Sequence, residues 1–72
     1  MSIFNERLKE CRNNNNVYQK QIAELLEITS RNYQRYEAGT LEPNIDKLIA
    51  LADYFNVSID YLVGRSDDPT RH

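Results

Sequence analysis

Apolar residues recur along the chain at spacings of three and four, in five short stretches separated by polar punctuation. No run alternates as a half-buried strand would, so the pattern predicts an all-α fold. The first stretch, about Ile3 to Asn13, sets Phe4, Leu8 and Cys11 on one face, with Ser2 as a candidate cap. The run Asn13 to Asn16 ends it, because asparagine tolerates left-handed backbone and competes with helical hydrogen bonds through its side chain. The second stretch, about Gln19 to Leu26, is expected to bury Ile22, Ala23 and Leu26. Val17 can staple onto Ile22, and Gln21 can reach back to the backbone of Tyr18, itself a poor cap.

The third stretch, residues 30–38, opens after Thr29, a good N-cap, and closes before Gly39, suited to a left-handed C-terminus. Ile28 can staple onto Tyr33. Only Glu27, Ile28 and Thr29 separate the second stretch from the third, and a corner that short turns the chain sharply. The fourth, about Ile45 to Asn56, has the strongest periodicity: Ile45, Leu48, Ile49, Ala52 and Phe55 form one stripe, predicting the central core helix. Asn44 is its cap, Pro43 blocks continuation from before it, and Asp46 complements the helix dipole. In the fifth, about Ile59 to Val63, Ser58 caps, Val57 staples to Leu62 and Gly64 closes. These stretches make one domain of residues 1–65. Residues 66–72 have almost nothing to bury and are expected to form a flexible tail.

Composition narrows the function classes. With 72 residues there is room for one small core and no second ligand-binding domain, so no small-molecule effector is expected within this chain. Burying only about 60% of the unfolded surface at this size makes a partner subunit useful for stability. Cys11 is the only cysteine and continues an apolar face, so it reads as core; no intramolecular disulfide or thiolate cluster can form. No apolar stretch approaches the roughly 20 residues that span a bilayer, and no export signal is visible, which points to a cytoplasmic protein without a membrane partner. His72 stands alone. Neither converging metal ligands nor a nucleophile with a positioned base can be read here, so no cofactor, no metal and no catalysis are expected.

Net charge is −2, against indiscriminate nucleic-acid binding, yet the charge is polarised. Arg12, Lys20, Arg31 and Arg35 stand against two acidic residues between positions 12 and 36, whereas positions 37–54 hold four acidic residues and one lysine. On the third stretch, at about 100° per residue, Tyr33 and Tyr36 share the core side, while Arg31, Gln34, Arg35 and Ala38 lie opposite. Arginine there suits guanine O6 and N7 in the major groove. Gln34 and Asn32 flank the arginines and could reach bases or backbone. Lys20, Thr40 and Asn44 stand at helix starts or in a loop, where phosphate contacts are common, and Tyr18 could lie over the sugar-phosphate chain. Glu37 falls beside the core, where a lone carboxylate is costly, and Arg12 is the most economical partner.

The strings ERLKECR, QKQIAELL, RYEAG, EPN and KLIALADYFNVSIDYLVG, in this order, resemble the helix-turn-helix domain of the lambda Cro and repressor family, also called the XRE family. The resemblance covers residues 3–65. It implies a compact five-helix, lambda-repressor-like DNA-binding domain that regulates transcription, with the third helix in the major groove of double-stranded DNA and a homodimer on a partly palindromic operator. It further implies that Gln19 anchors the front of the second helix to phosphate or sugar. Ser30, Arg31 and Arg35 would meet base edges, and Arg12 and Glu37 match the family's internal ion pair. Three positions depart from the family's usual residues: Tyr18 where threonine is common, and Glu27 and Asn16 where glycine is. If Glu27 is left-handed, it carries about 1 kcal/mol or more of strain. Ile59, Tyr61 and Val63, with the loop from Thr40 to Asn44, form the expected dimer surface. The acidic surface of residues 37–54 leaves open a second reading, a protein-interaction module such as an antitoxin or anti-regulator.

Overall fold

The computed structural model describes residues 3–71 and forms α1 (Phe4–Asn14), α2 (Gln19–Leu25), α3 (Ser30–Ala38), α4 (Ile45–Phe55) and α5 (Ile59–Leu62). No strand occurs among the described residues, and each helix lies within about a residue of its sequence expectation. Ser2 and His72, to which the sequence assigned a cap and a lone imidazole, lie outside the described residues. Ile3 occupies the N-cap of α1 and offers no side-chain bond.

The predicted caps of the other helices form. Thr29 Oγ1 accepts from Asn32 N at 3.1 Å, Asn44 Oδ1 from Lys47 N at 3.0 Å, and Ser58 Oγ from Tyr61 N at 3.0 Å. Tyr18 gives α2 no side-chain cap, and Gln21 Oε1 accepts from the Tyr18 backbone N–H at 2.7 Å instead. Each cap satisfies a donor that the helix itself leaves without a partner.

All five helices end in the same device, a left-handed residue flanked by two closing hydrogen bonds. After α2, Glu27 N donates to Glu24 O at 3.2 Å and Ile28 N to Ala23 O at 3.0 Å. The same pair of bonds forms at Asn16 and Val17, at Gly39 and Thr40, at Asn56 and Val57, and at Gly64 and Arg65. This is the Schellman arrangement, which occupies carbonyls the helix leaves open. Four of the five left-handed positions carry glycine or asparagine, which tolerate it; Glu27, at φ +56°, does not belong to that class.

Leu8, Ile22, Tyr33, Leu51 and Leu62, one from each helix, are fully buried and make the centre of the core. The helix α3 packs on α1 and α2, while α5 packs on α1 and α4. Here one sequence expectation is corrected. Ile45 is 65% exposed and Ile49 42% exposed, whereas Leu51, absent from the predicted stripe, is fully buried. The apolar arc of α4 spans about 160° at 100° per residue, wider than its neighbours cover. The covered part is centred on Leu51, Ala52 and Phe55, leaving Ile45 and Ile49 along one open edge. Tyr54 is 44% exposed with its ring edge-on to Phe55.

Residues beyond Gly64 bury little apolar surface but bond to the body through polar groups. Ser58 N donates to Pro69 O at 3.0 Å, and Arg7 Nη1 donates to Tyr61 O and Ser66 O, both at 3.1 Å. The Arg7 guanidinium also lies 4.0 Å over the centre of the Tyr61 ring.

Candidate nucleic-acid interface

The third helix has two chemically distinct sides. Tyr33, Tyr36 and Glu37 are buried, while Ser30, Arg31, Gln34 and Arg35 are exposed and Asn32 is intermediate. Tyr33 and Tyr36 meet edge to face at 6.1 Å between ring centres, so two rigid aromatic anchors fix how far α3 can roll against α1 and α2. Neither Arg31 nor Arg35 joins an ion pair among the described residues. Two guanidinium forks therefore stand side by side on the outer face with their donors uncommitted, the chemistry needed to meet paired acceptors on a base edge or a phosphate.

Behind that face sits a buried charged cluster. Glu37 is only 4% exposed, and its carboxylate receives Arg12 Nε at 2.6 Å and Nη2 at 3.2 Å, joining the end of α1 to the end of α3. The partner anticipated from helical geometry is thus the one found. Burial pushes the Glu37 carboxyl up, but Arg12, Tyr33 and Gln19 outweigh it and hold the group below the usual carboxylate range. The hydrogen bond to Glu37 raises Arg12 in turn, so both partners are charged at neutral pH. The Tyr33 hydroxyl is buried without a well-directed hydrogen bond among the described residues. Burial first, and the neighbouring carboxylate second, push it far above the ordinary tyrosine range.

Sequence reasoning missed two arms of this cluster. Arg12 Nη1 also donates to Val17 O at 3.2 Å, and Gln19 Nε2 donates to Glu37 Oε1 at 3.1 Å. The first bond depends on the path of the turn that follows α1, and the second on how α2 meets α3, so neither is marked by a residue pattern.

Around the arginine face, Tyr18 is 77% exposed, and Lys20, Thr40 and Asn44 are exposed as well. Gln19 is half-buried, one amide proton turned inward. Asn44 uses its side-chain carbonyl on the cap of α4, while Thr40 Oγ1 donates to Arg35 O at 3.5 Å. On α5, the expected dimer residues Ile59, Tyr61 and Val63 are all half-buried, Tyr61 already covered by Arg7. Ile49 and Ile59 line one open depression of about 300 Å³ together with Val57, Asp53 and Arg71, which joins the open edge of α4 to α5. No cluster of potential metal ligands occurs among the described residues, nor any helix long and apolar enough to cross a membrane.

Comparison with known proteins places this geometry. The helix-turn-helix family matches residues 8–62. The uncharacterized HTH-type transcriptional regulator YobD of Bacillus subtilis is 37% identical over 93% of this chain and 60% of its own length. The cryptic phage CTXphi transcriptional repressor RstR of Vibrio cholerae is 38% identical over 83% of this chain and 54% of its own length. A crystal structure of a transcriptional regulator from Listeria innocua superposes with a TM-score of 0.84 at 42% identity, over 89% of this chain and 60% of that one. The chain therefore spans about half to three-fifths of the length of these three proteins.

Proposed function

Because the chain belongs to the helix-turn-helix family of the lambda Cro and repressor (XRE) type, we propose that it is a sequence-specific regulator of transcription that inserts α3 into the major groove of duplex DNA. One observation carries the reading: Arg31 and Arg35 stand exposed, in no ion pair among the described residues, on a helix whose opposite side is fixed by Tyr33, Tyr36 and Glu37. Ser30 and Gln34 complete the base-reading face. Gln19, Lys20, Tyr18, Asn32, Thr40 and Asn44 supply contacts to the backbone, which set register without reading sequence.

The protein acts in the cytoplasm as a homodimer on a partly palindromic operator, with half-sites about 34 Å apart, and represses by occupancy. Ile59, Tyr61 and Val63 belong to the dimer surface, extended by the exposed Ile45 and Ile49 on α4. That extension is supported by the depression that Ile49 and Ile59 share. Relatives named as transcriptional regulators favour DNA over a protein partner for this fold.

Selection of bound sites from random duplexes tests the proposal. Enrichment of an inverted repeat with guanine in each half-site is expected, since each bidentate arginine contact discriminates by about 1 to 3 kcal/mol. Enriched sites without guanine would overturn the assignment of Arg31 and Arg35.

A further inference from the structure

The inward bond of Gln19 gives the buried carboxylate a second task. We propose that Glu37 is a positioning residue for DNA: it fixes the Gln19 amide so that the second amide proton is presented to a backbone phosphate oxygen in one orientation. The proposal rests on the DNA-binding reading above and deepens it.

A glutamine amide has two ends of nearly equal size, and only hydrogen bonding decides which faces inward. A carboxylate can only accept, so beside Glu37 Oε1 the amide must turn Nε2 inward, as the 3.1 Å contact shows. The Nε2 group has two protons. One is used by Glu37, and no other hydrogen bond engages the side chain among the described residues. Gln19 is half-buried between exposed Tyr18 and exposed Lys20, so the residue is open to solvent on one side.

The other carboxylate oxygen binds Arg12 Nε, and the same guanidinium holds Val17 O, two residues before Gln19. One buried pair therefore fixes the Gln19 side chain and also the chain leading into it. Glu37 lies two residues after Arg35 on α3. The phosphate anchor and the base-reading face are thereby held at a set separation through a residue that never touches DNA.

The test is a thermodynamic cycle with Gln19→Ala, Glu37→Gln and the double variant, each checked for native circular dichroism and titrated with the selected operator. Glu37→Gln keeps the shape, but its single oxygen is taken by Arg12 and its NH₂ then faces Gln19, forcing that amide to flip. Gln19→Ala should weaken binding about twofold to twelvefold, the range of one hydrogen bond. The slope of affinity against salt should not change, because no charge is removed. Glu37→Gln should weaken binding by a similar factor alone and add nothing in the Gln19→Ala background.

Equal losses from Glu37→Gln in both backgrounds would assign Glu37 a purely structural role and overturn the proposal. Should Glu37→Gln not fold, Glu37→Asp, which keeps the charge for Arg12 but withdraws from Gln19, enters the same cycle with the same two outcomes. In the free protein, the two Gln19 amide protons should resonate apart by NMR and converge in either Glu37 variant; protons unmoved by both would likewise overturn it. If the wild-type chain prefers no duplex at all, the DNA-binding reading itself fails, and this proposal with it.

Discussion

Replacing Glu27 with glycine should make the protein more stable, although the position is exposed and at the heart of the helix-turn-helix. Glu27 holds φ at +56°, a conformation that places a Cβ against the backbone and costs about 1 to 2 kcal/mol for an ordinary L residue. Glycine removes that strain but loses more freedom on folding, about 0.5 to 1 kcal/mol. The difference leaves a net gain of roughly 0.5 to 1 kcal/mol. No ion pair or side-chain hydrogen bond of Glu27 is lost among the described residues, and both closing bonds at the corner are made by backbone.

For a domain of this size such a gain raises the melting temperature by about 2 to 8 °C, readily seen against a total stability of about 4 to 11 kcal/mol. Thermal and urea unfolding followed by circular dichroism at neutral pH measure it. Glu27→Ala keeps the Cβ and should match the wild type within about 0.5 kcal/mol. A glycine variant no more stable than wild type, or an alanine variant gaining as much as glycine, would show that left-handed strain is not the cause.

Three further outcomes are expected. Arg31→Ala should relax sequence preference at one position of each half-site, whereas Lys20→Ala should weaken all duplexes about equally and lower the salt slope by about one; footprinting and titration at several salt concentrations distinguish them. Glu37 has a folded-state pKa below its unfolded value, so its stabilising contribution is present above about pH 4.3 and is lost as pH falls through the lower folded value. The stability difference between wild type and Glu37→Gln, measured by urea unfolding, should accordingly shrink only on the acid side. Ile49→Glu should weaken the proposed dimer by more than about 10-fold, because each Ile49 is 42% exposed and two copies can bury at most about two-fifths of roughly 1.5 to 3 kcal/mol each, while the variant brings two carboxylates to the seam; sedimentation equilibrium reads the change.

The elements were legible in the sequence because their ends carry strong local chemistry: Thr29, Asn44 and Ser58 cap, and Asn16, Gly39 and Gly64 close. Helical periodicity also separated the buried Tyr33, Tyr36 and Glu37 from the exposed arginines, and the partner of Glu37 followed from the need to compensate a buried charge. Periodicity failed on α4 for a definable reason. It reports how wide an apolar stripe is, not how much of it a neighbouring helix covers, so Ile45 and Ile49 were assigned inward although they are open. The inward bond of Gln19 was hidden because it depends on the meeting of α2 with α3, across 18 positions of sequence. The polar contacts of Ser66 and Pro69 were hidden likewise, since backbone carbonyls carry no mark in the sequence.

Direct titration of the chain with its selected operator and with a scrambled duplex of equal length, between about 50 and 200 mM salt, decides whether this molecule reads DNA. The operator should bind at least about 10³-fold more tightly than the scrambled duplex, both affinities falling steeply with salt. Equal, weak affinity for the two duplexes at every salt concentration would contradict sequence reading by Arg31 and Arg35.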